Sequence, residues 1–429
     1  MLEASRAHGP LRGCLTPPGD KSISHRALIM SALAQGRSTI RGLLHSADVM
    51  ATRSALGQLG AIFSEEEDRL LIDGTGVQGL QAPSGPLDVG NSGTAMRLLA
   101  GVLSAQAFAS ELSGDDSLNN RPMRRILKPL REMGADIHAS GTDTAPLKIN
   151  GGHLHGIDYA SPVASAQVKS CVLLAGLFAE GQTRVTEPEP SRDHTERMLP
   201  LFGVDMPAPC TVAGGRGVFA ADISVPADLS SAAFLMAGAL LVPGSDVVLK
   251  NVGLNPTRDG FLRALKAMGA DLEITRDPPC GNEPAGSIRI RYSGRLTGID
   301  LPAQWIPSMV DEIPILMVLA AVADGETRIR GASELRVKES DRLAVMGRGL
   351  VQLGIPVLDY EDGVNITGVA AFRDAVLESE SDHRCAMSFA ALALCAPGGL
   401  QIRNSEYIGT SYPGFVHDMT ALGAKMKMT

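Results

Sequence analysis

Aromatic side chains are scarce in this 429-residue chain: they make up 4%, with Trp305 the single tryptophan. A protein that binds nucleic acid by stacking bases needs more rings than this. The core must instead be built from Leu, Ala, Val, Ile and Met. Positive charge is in deficit too, with 39 Lys and Arg against 47 Asp and Glu and a net charge of −8. That excludes a general affinity for nucleic acid or for an anionic membrane. The six cysteines (Cys14, Cys171, Cys210, Cys280, Cys385 and Cys395) form no CxxC pair, and read as free thiols of a reducing compartment. No long hydrophobic run is present. The longest, Ile313 to Ala323, has 11 residues and contains Pro314, too short to span a bilayer. Met1 to Pro10 lacks the apolar segment of a secretory signal. These absences predict a cytoplasmic protein with neither nucleic acid nor membrane as partner. At 44% hydrophobic and 20% charged residues, the chain is no disordered polymer and is long enough for two or three domains.

What is present is a repeat. Six segments run from a helix-like stretch through Gly into strand-like residues: LGQLGAIF, PLREMGADI, MLPLFGVDM, ALKAMGADL, GLVQLGIPV and MTALGAKM. Their glycines, Gly60, Gly134, Gly203, Gly269, Gly354 and Gly423, are spaced by 74, 69, 66, 85 and 69 residues. A second landmark precedes most of them: an Ala/Leu-rich helix, a small turn and a strand, as in AGLFAEGQTRVTEP and LAAVADGETRIRGA. Gly just past a helix suits the left-handed position there, and alternation such as Thr183-Arg184-Val185-Thr186 marks a strand. Each unit therefore reads helix, tight turn, strand, loop, helix, Gly, strand. Six such α/β units divide into two domains of three. Helices that are apolar nearly all round, such as Ala164 to Ala179, belong inside sheets rather than on a surface. The loops between strand and second helix carry the polar residues: SADVMATR, SGDDSLNNRPMRR, EPSRDHTER, LNPTRDG, LRVKESDR and IGTSYPGF.

Several motifs carry no function. Gly74-Thr-Gly76-Val-Gln-Gly79 matches a dinucleotide fingerprint, but Leu80 to Gly85 open no helix to face a pyrophosphate. Gly19-Asp20-Lys21-Ser22 lacks the spacing of a phosphate-binding loop. His153 and His155 have no evident third ligand, so no metal is expected. Asn365-Ile366-Thr367 matters only in a secreted chain.

The residues with chemical potential gather at loop–helix junctions. Lys21, Ser22 and Arg26 stand where Gly19 and Asp20 turn into a helix reaching about Gln35, and exposed N–H groups there favour an anion. In Gly90-Asn91-Ser92-Gly93-Thr94, small residues allow a ligand close to the backbone, while Asn91 or Ser92 equally fits a helix cap. Arg121 lies just outside a helix with Pro122 at its first position, placed to fork onto a carboxylate or phosphate. Arg124 and Arg125 read as solvated. Ser165-Ala166-Gln167 opens another apolar helix. Near it stands Arg192, with Asp193 or Thr195 as cap. Asp311 before the Ile313 run is either a cap or a buried general base. Lys338, Glu339 and Arg342 are spaced as a salt-bridged helix face, and Arg384 precedes the apolar run from Ala386. Singly each has an ordinary structural reading. Together, basic residues at equivalent points of separate repeats predict a strongly cationic site in an acidic protein, suited to small, highly anionic substrates.

PGDKSISHR, GNSGTAMR, LNNRPM, SAQVKS, SRDHTE, SMVDEIP, LRVKESDR, DHRCAMSF and TSYP occur in that order between residues 18 and 413. The set resembles the EPSP synthase family of enolpyruvyl transferases over nearly the whole chain. RVKESDR with DKSISHR separates it from the related UDP-N-acetylglucosamine enolpyruvyl transferases. The cysteine acid of those relatives has no counterpart here, where Asn119 and Asn120 precede Arg121. The resemblance implies two inverse α/β-prism domains, residues 1–19 plus 227–429 and residues 20–226, with the active site in a cleft that closes on shikimate 3-phosphate.

The implied reaction moves the enolpyruvyl group of phosphoenolpyruvate to the 5-hydroxyl of shikimate 3-phosphate and releases phosphate. By resemblance, Glu339 is the acid at carbon, Asp311 the base on the hydroxyl, and Lys21 shares proton transfer. Lys21, Gly93, Arg121, Gln167, Arg342 and Arg384 hold phosphoenolpyruvate. Lys21, Ser22, Arg26, Ser165, Ala166, Gln167, Arg192, Asp311 and Lys338 hold shikimate 3-phosphate, with Asp48 and Asn91 in support. No metal or organic cofactor is implied, and a monomer is expected. Ala166, Glu334 and Ser411 replace Ser, Asn and Lys of the better-known branch and match a second branch that often tolerates glyphosate, whereas Gly93 is typical of sensitive enzymes. Two other readings stay open: transfer to a different acceptor, and a catalytically dead scaffold that binds anions.

Overall fold

The computed structural model describes residues 1–429. The chain forms two compact units. The first contains Met1–Pro18, Pro226–Pro278 and Pro284–Thr429; the second contains Gly19–Val225 and the short excursion Pro279–Glu283, which no feature of the sequence announces.

Each unit holds three variants of one plan, richer in strands than the sequence pattern alone indicates, with one strand of the plan missing from each of the two three-stranded sheets. A short leading strand enters a central helix. The next strand returns parallel to the leading one, as a helical crossover requires. A peripheral helix follows, ends at the repeat glycine, and gives way to a hairpin whose second strand pairs antiparallel with the strand after the central helix. In the second unit this gives sheets ordered Asp222–Ser224, Gln35–Arg41, Arg69–Thr75, Ile62–Glu66, and Leu87–Asp88, Ser110–Ser113, Thr144–Ile149, Ile137–Ser140. A three-stranded sheet runs Asp158–Ala160, Gln182–Thr186, Thr211–Ala213. In the first unit, Arg12–Leu15, Asp246–Gly253, Ala285–Arg291 and Asp271–Arg276 form one sheet, and Glu326–Ile329, Gly363–Thr367 and Val357–Tyr360 a second.

The third sheet of the first unit closes the ring of repeats. Its order is Val376–Glu378, Leu400–Arg403, Leu2–Ala4, Met426–Met428, so the strand at the amino end fills the place that a hairpin strand fills elsewhere. Two leading strands are exchanged as well. Arg12–Leu15 precedes the Lys21–Leu33 helix but pairs with Asp246–Gly253, and Asp222–Ser224 precedes the Leu229–Leu241 helix but pairs with Gln35–Arg41.

All six repeat glycines have positive φ, from 74° at Gly203 to 110° at Gly423. They terminate helices in the left-handed conformation that glycine adopts without steric cost. The central helices are buried on every side. Every residue of Leu229–Leu241, Ile313–Ala321 and His383–Ala393 is buried, and each unit has its own apolar core. The strand Gln182–Thr186 alternates as its sequence predicts, with Thr183 and Val185 inward. The helix expected to reach Gln35 stops at Leu33, and that expected over 164–179 spans Ala166–Gly176. No helix is long and apolar enough to cross a membrane, and none opens after Gly79.

Candidate active site

In the second unit three central helices begin side by side. Asp20 caps the Lys21 helix by accepting from the Ile23 N–H at 2.8 Å. Lys21, its first residue, reaches Asp48 Oδ2 at 3.1 Å from the first turn of the Ala47–Gln58 helix. One turn on, Arg26 is 4% exposed. Its Nη1 donates to the Ser22 carbonyl at 2.9 Å, its Nε to Thr195 Oγ1 at 2.7 Å and its Nη2 to Ser170 Oγ at 2.6 Å. Burial lowers its pKa to about 10, with Glu196 and Asp20 opposing that and Arg192 adding to it. Arg26 thus stays charged at neutral pH, held by hydroxyls. Between Lys21 and Arg26, His25 contacts Thr52 Oγ1 at 2.8 Å through Nδ1 and Ser92 Oγ at 3.3 Å through Nε2.

Ser92, not Asn91, caps the second helix, Gly93–Leu103, accepting from the Ala95 N–H at 3.1 Å. Asn91 has another task. Its Oδ1 accepts from Arg121 Nη2 at 2.6 Å, and its Nδ2 donates to Asp115. Arg121 is buried and follows the short helix Asp116–Asn119. The next helix starts at Arg124 with Met123 as cap, so Pro122 precedes the cap and is not the first helical residue. The Arg121 N–H closes the preceding turn on Leu118, which leaves no room for a helix to begin there. Arg124 and Arg125 are exposed, as expected. At Gly93 an added Cβ would stand 2.6 Å from Arg97 Nη1 and 3.4 Å from Arg121 Nη1: both guanidinium groups lie over this glycine.

Ser165 caps the third helix, Ala166–Gly176. Gln167 donates to Thr94 Oγ1 at 3.0 Å, joining this helix start to that of Gly93. Arg192 lies in the loop before the His194–Met198 helix. Asp193 takes the cap position without a side-chain cap bond and pairs with Arg197 instead. Arg26 is thus tied to Ser22, Ser170 and Thr195, Lys21 to Asp48, Arg121 to Asn91 beside Gly93, and Gln167 to the Gly93 helix start, while Ser165 caps its own helix. The sequence pattern assigns nothing to His25 or Ser170 and only a possible cap to Thr195, which instead stands inside the helix and binds Arg26, although all three lie in the quoted motifs.

In the first unit the centre is Arg342. The helix Arg342–Gln352 begins at this residue, capped by Asp341, so Lys338 and Glu339 precede the helix. The solvated helix face expected for this segment is absent. Lys338 pairs with Glu334 at 2.8 Å, and the Arg342 side chain is 1% exposed. It meets three carboxylates: Glu339 at 2.6 Å, Asp382 at 2.8 Å and Asp311 at 3.2 Å. Burial alone would lower its pKa, but Asp382, Glu339 and Asp311 together raise it. Asp311 sits in the turn Val310–Glu312 and makes no cap bond. Its carboxylate also lies 3.6 Å from Arg384 Nε, and its carbonyl accepts from Arg384 Nη1 at 3.3 Å. Asp382 caps the His383 helix with Oδ1, accepting from the Arg384 N–H at 2.8 Å.

The first unit thus does not present the bare cationic surface that the basic motifs predict. Two arginines here face three carboxylates, because loops that bring arginines together bring their acids with them. The hydroxyl-held Arg26 of the second unit is closer to that expectation. Cys385 is buried and its thiol is pushed well above its ordinary pKa, by burial first and then by Asp382, so it is held protonated and inert. His153 and His155 are exposed, and among the described residues no three His, Cys, Asp or Glu side chains are grouped as metal ligands.

Residues 5–419 match the family model described as EPSP synthase (3-phosphoshikimate 1-carboxyvinyltransferase). The chain is 51% identical over 421 residues to a 3-phosphoshikimate 1-carboxyvinyltransferase of Halorhodospira halophila, covering 97% of this chain and 94% of the relative. It is 50% identical over 427 residues to that of Methylococcus capsulatus, covering 98% and 97%. A solved EPSP synthase from Acinetobacter baumannii superposes with a TM-score of 0.88 at 45% identity, covering 100% of this chain and 99% of that one. With a family model over nearly its whole length and these relatives, the chain belongs to the EPSP synthase family.

Proposed function

We propose that this chain transfers the enolpyruvyl group of phosphoenolpyruvate to the 5-hydroxyl of shikimate 3-phosphate and releases inorganic phosphate, a step of the shikimate pathway to aromatic amino acids. The proposal includes action as a cytoplasmic monomer and domains of residues 1–19 plus 227–429 and 20–226. It invokes no metal or organic cofactor.

The observation that carries this reading is the Arg342 centre, where two carboxylates suited to proton transfer, Glu339 and Asp311, share one buried guanidinium. The reaction must protonate the methylene carbon of phosphoenolpyruvate so that its neighbouring carbon accepts the hydroxyl oxygen. It must take the hydroxyl proton, then remove a proton from the new methyl group as phosphate leaves. The step balances when one group gives and regains a proton at carbon while another accepts the hydroxyl proton and passes it on to the departing phosphate. We assign the first role to Glu339 and the second to Asp311, with Lys21 sharing proton transfer. Lys21, Gly93, Arg121, Gln167, Arg342 and Arg384 take phosphoenolpyruvate in this reading. Ser22, Arg26, Ser165, Ala166, Gln167, Arg192 and Lys338 take shikimate 3-phosphate together with Lys21 and Asp311, while Asp48 and Asn91 orient Lys21 and Arg121.

The test is phosphate release by purified protein given phosphoenolpyruvate with and without shikimate 3-phosphate. Release that requires both, with stoichiometric enolpyruvyl product, is expected. A folded protein that binds shikimate 3-phosphate and releases none would favour another acceptor or an inactive anion-binding scaffold.

A further inference from the structure

Lys169 lies at the end of the first turn of the Ala166 helix and is 3% exposed. Its ammonium is 2.9 Å from Glu187 Oε2 and 2.8 Å from Glu196 Oε1, and it donates to the Ser191 carbonyl at 3.4 Å. Burial disfavours a charged lysine, but Glu196 and Glu187 outweigh it and keep the ammonium protonated. Glu187 immediately follows the strand Gln182–Thr186 and is itself nearly buried. Its Oε1 accepts from the Ser165 N–H at 2.7 Å and from Ser191 Oγ at 2.8 Å, and its Oε2 accepts from Ser191 Oγ at 2.7 Å.

One carboxylate therefore ties together the start of the Ser165–Gln167 segment and the start of the Ser191–Arg192 loop, and one buried lysine fixes that carboxylate. A buried triad of one cation and two anions is costly unless every member is held by good geometry. Packing gives no reason to prefer it over apolar side chains. Its bonds go to the two segments that carry Ser165, Gln167 and Arg192.

Building on the proposed function, we propose that Glu187 and Lys169 are positioning residues that set affinity for the phosphorylated acceptor: they hold the Ser165 and Arg192 segments at the spacing that shikimate 3-phosphate needs. Neither touches the reacting atoms. Their effect falls on acceptor binding, not on phosphoenolpyruvate.

The experiment compares Glu187→Gln, Lys169→Met and Lys169→Arg with the unaltered chain in steady-state kinetics, with thermal midpoints recorded alongside. Glu187→Gln keeps the shape and removes the charge. It is expected to raise KM for shikimate 3-phosphate about tenfold or more, the scale of losing charge-assisted hydrogen bonds. The kcat value and KM for phosphoenolpyruvate should stay within about twofold. Lys169→Arg should lie nearer to the unaltered chain than Lys169→Met. Ser191→Ala, which leaves all charges in place, should raise the acceptor KM by about threefold and serves if the charge variants do not fold. Equal rises for both substrates, or an unchanged acceptor KM with only a lower thermal midpoint, would overturn the inference. If the unaltered chain releases no phosphate with both substrates, the assigned reaction fails. Calorimetric binding of shikimate 3-phosphate to the same variants then tests the clamp by itself, and equal affinities would refute it.

Discussion

Arg342 Nε and Asp382 Oδ2 are 2.8 Å apart where neither side chain is more than 1% exposed. The same carboxylate caps the His383 helix through its other oxygen, so the start of that helix and the aim of the guanidinium are set by one residue. Asp382→Ala would leave a buried arginine with two carboxylates and a helix without its cap. Breaking a buried pair costs about 3–5 kcal/mol and losing a cap about 1 kcal/mol. A thermal midpoint several degrees lower is expected by scanning calorimetry, together with a raised KM for phosphoenolpyruvate. Asp382→Asn keeps the cap and should fall between. Equal midpoints for the two variants would count against the double role.

Glu339→Gln and Asp311→Ala should each abolish turnover while equilibrium binding of substrates survives. Rapid-quench kinetics beside calorimetric titration separates the two effects. Near-normal turnover in either variant would remove that residue from its assigned proton transfer.

Lys21→Ala and Arg121→Ala each delete a charged donor. Hydrogen bonds to charged groups contribute about 1.5–3 kcal/mol, so kcat/KM for phosphoenolpyruvate should fall about 10- to 100-fold. Asn91→Ala, which frees Arg121 from its 2.6 Å bond, should give a smaller loss of the same kind. Unchanged constants for all three would contradict the assignment.

Gly93→Ala tests the crowding over the second helix start. The nearest atoms to the added methyl belong to the ends of the Arg97 and Arg121 side chains, which can move, so the fold should survive with an unchanged thermal midpoint. Displaced guanidinium groups should instead appear as a raised KM for phosphoenolpyruvate. A collapsed midpoint would show that the contact is rigid.

His25 predicts a pH dependence. Burial, followed by the charges of Lys21 and Arg26, holds its pKa well below 6.5. The folded chain therefore binds fewer protons here than the unfolded chain, and stability rises with pH. This contribution is complete above about pH 6.5 and is lost as the pH falls below that value. Thermal midpoints of the unaltered chain should drop more between pH 8 and pH 5 than those of His25→Gln. Parallel curves would show that His25 does not titrate against folding.

The repeat and its glycines could be read from the chain because a helix stop in the left-handed region demands glycine at a fixed place in every copy. Central helices were legible from their unbroken apolar composition. The burial of Arg342 was not. Spacings of three and four residues describe an exposed helix face equally well, and only the late helix start, at Arg342 itself, puts Lys338 and Glu339 in a different segment. The Lys169–Glu187–Glu196 triad is hidden for a related reason: its members stand on a helix, after a strand and on a second helix, and meet only once these have packed. The strand Leu2–Ala4 is not legible in the sequence because it is three residues long and its partners, Leu400–Ile402 and Met426–Met428, lie at the other end of the chain.

That strand has a consequence for how the molecule is made. Leu2–Ala4 is made before the other strands described above, while the strands on either side of it, Leu400–Arg403 and Met426–Met428, are made after them. The Met1 and Thr429 backbones end up hydrogen-bonded to each other. The first unit cannot complete its third sheet until Met426–Met428 has emerged, whereas every strand of the second unit's own sheets is available once Ser224 has emerged. The second unit can therefore mature on the nascent chain, whereas the first must wait for Met426–Met428 with its opening strand unpaired.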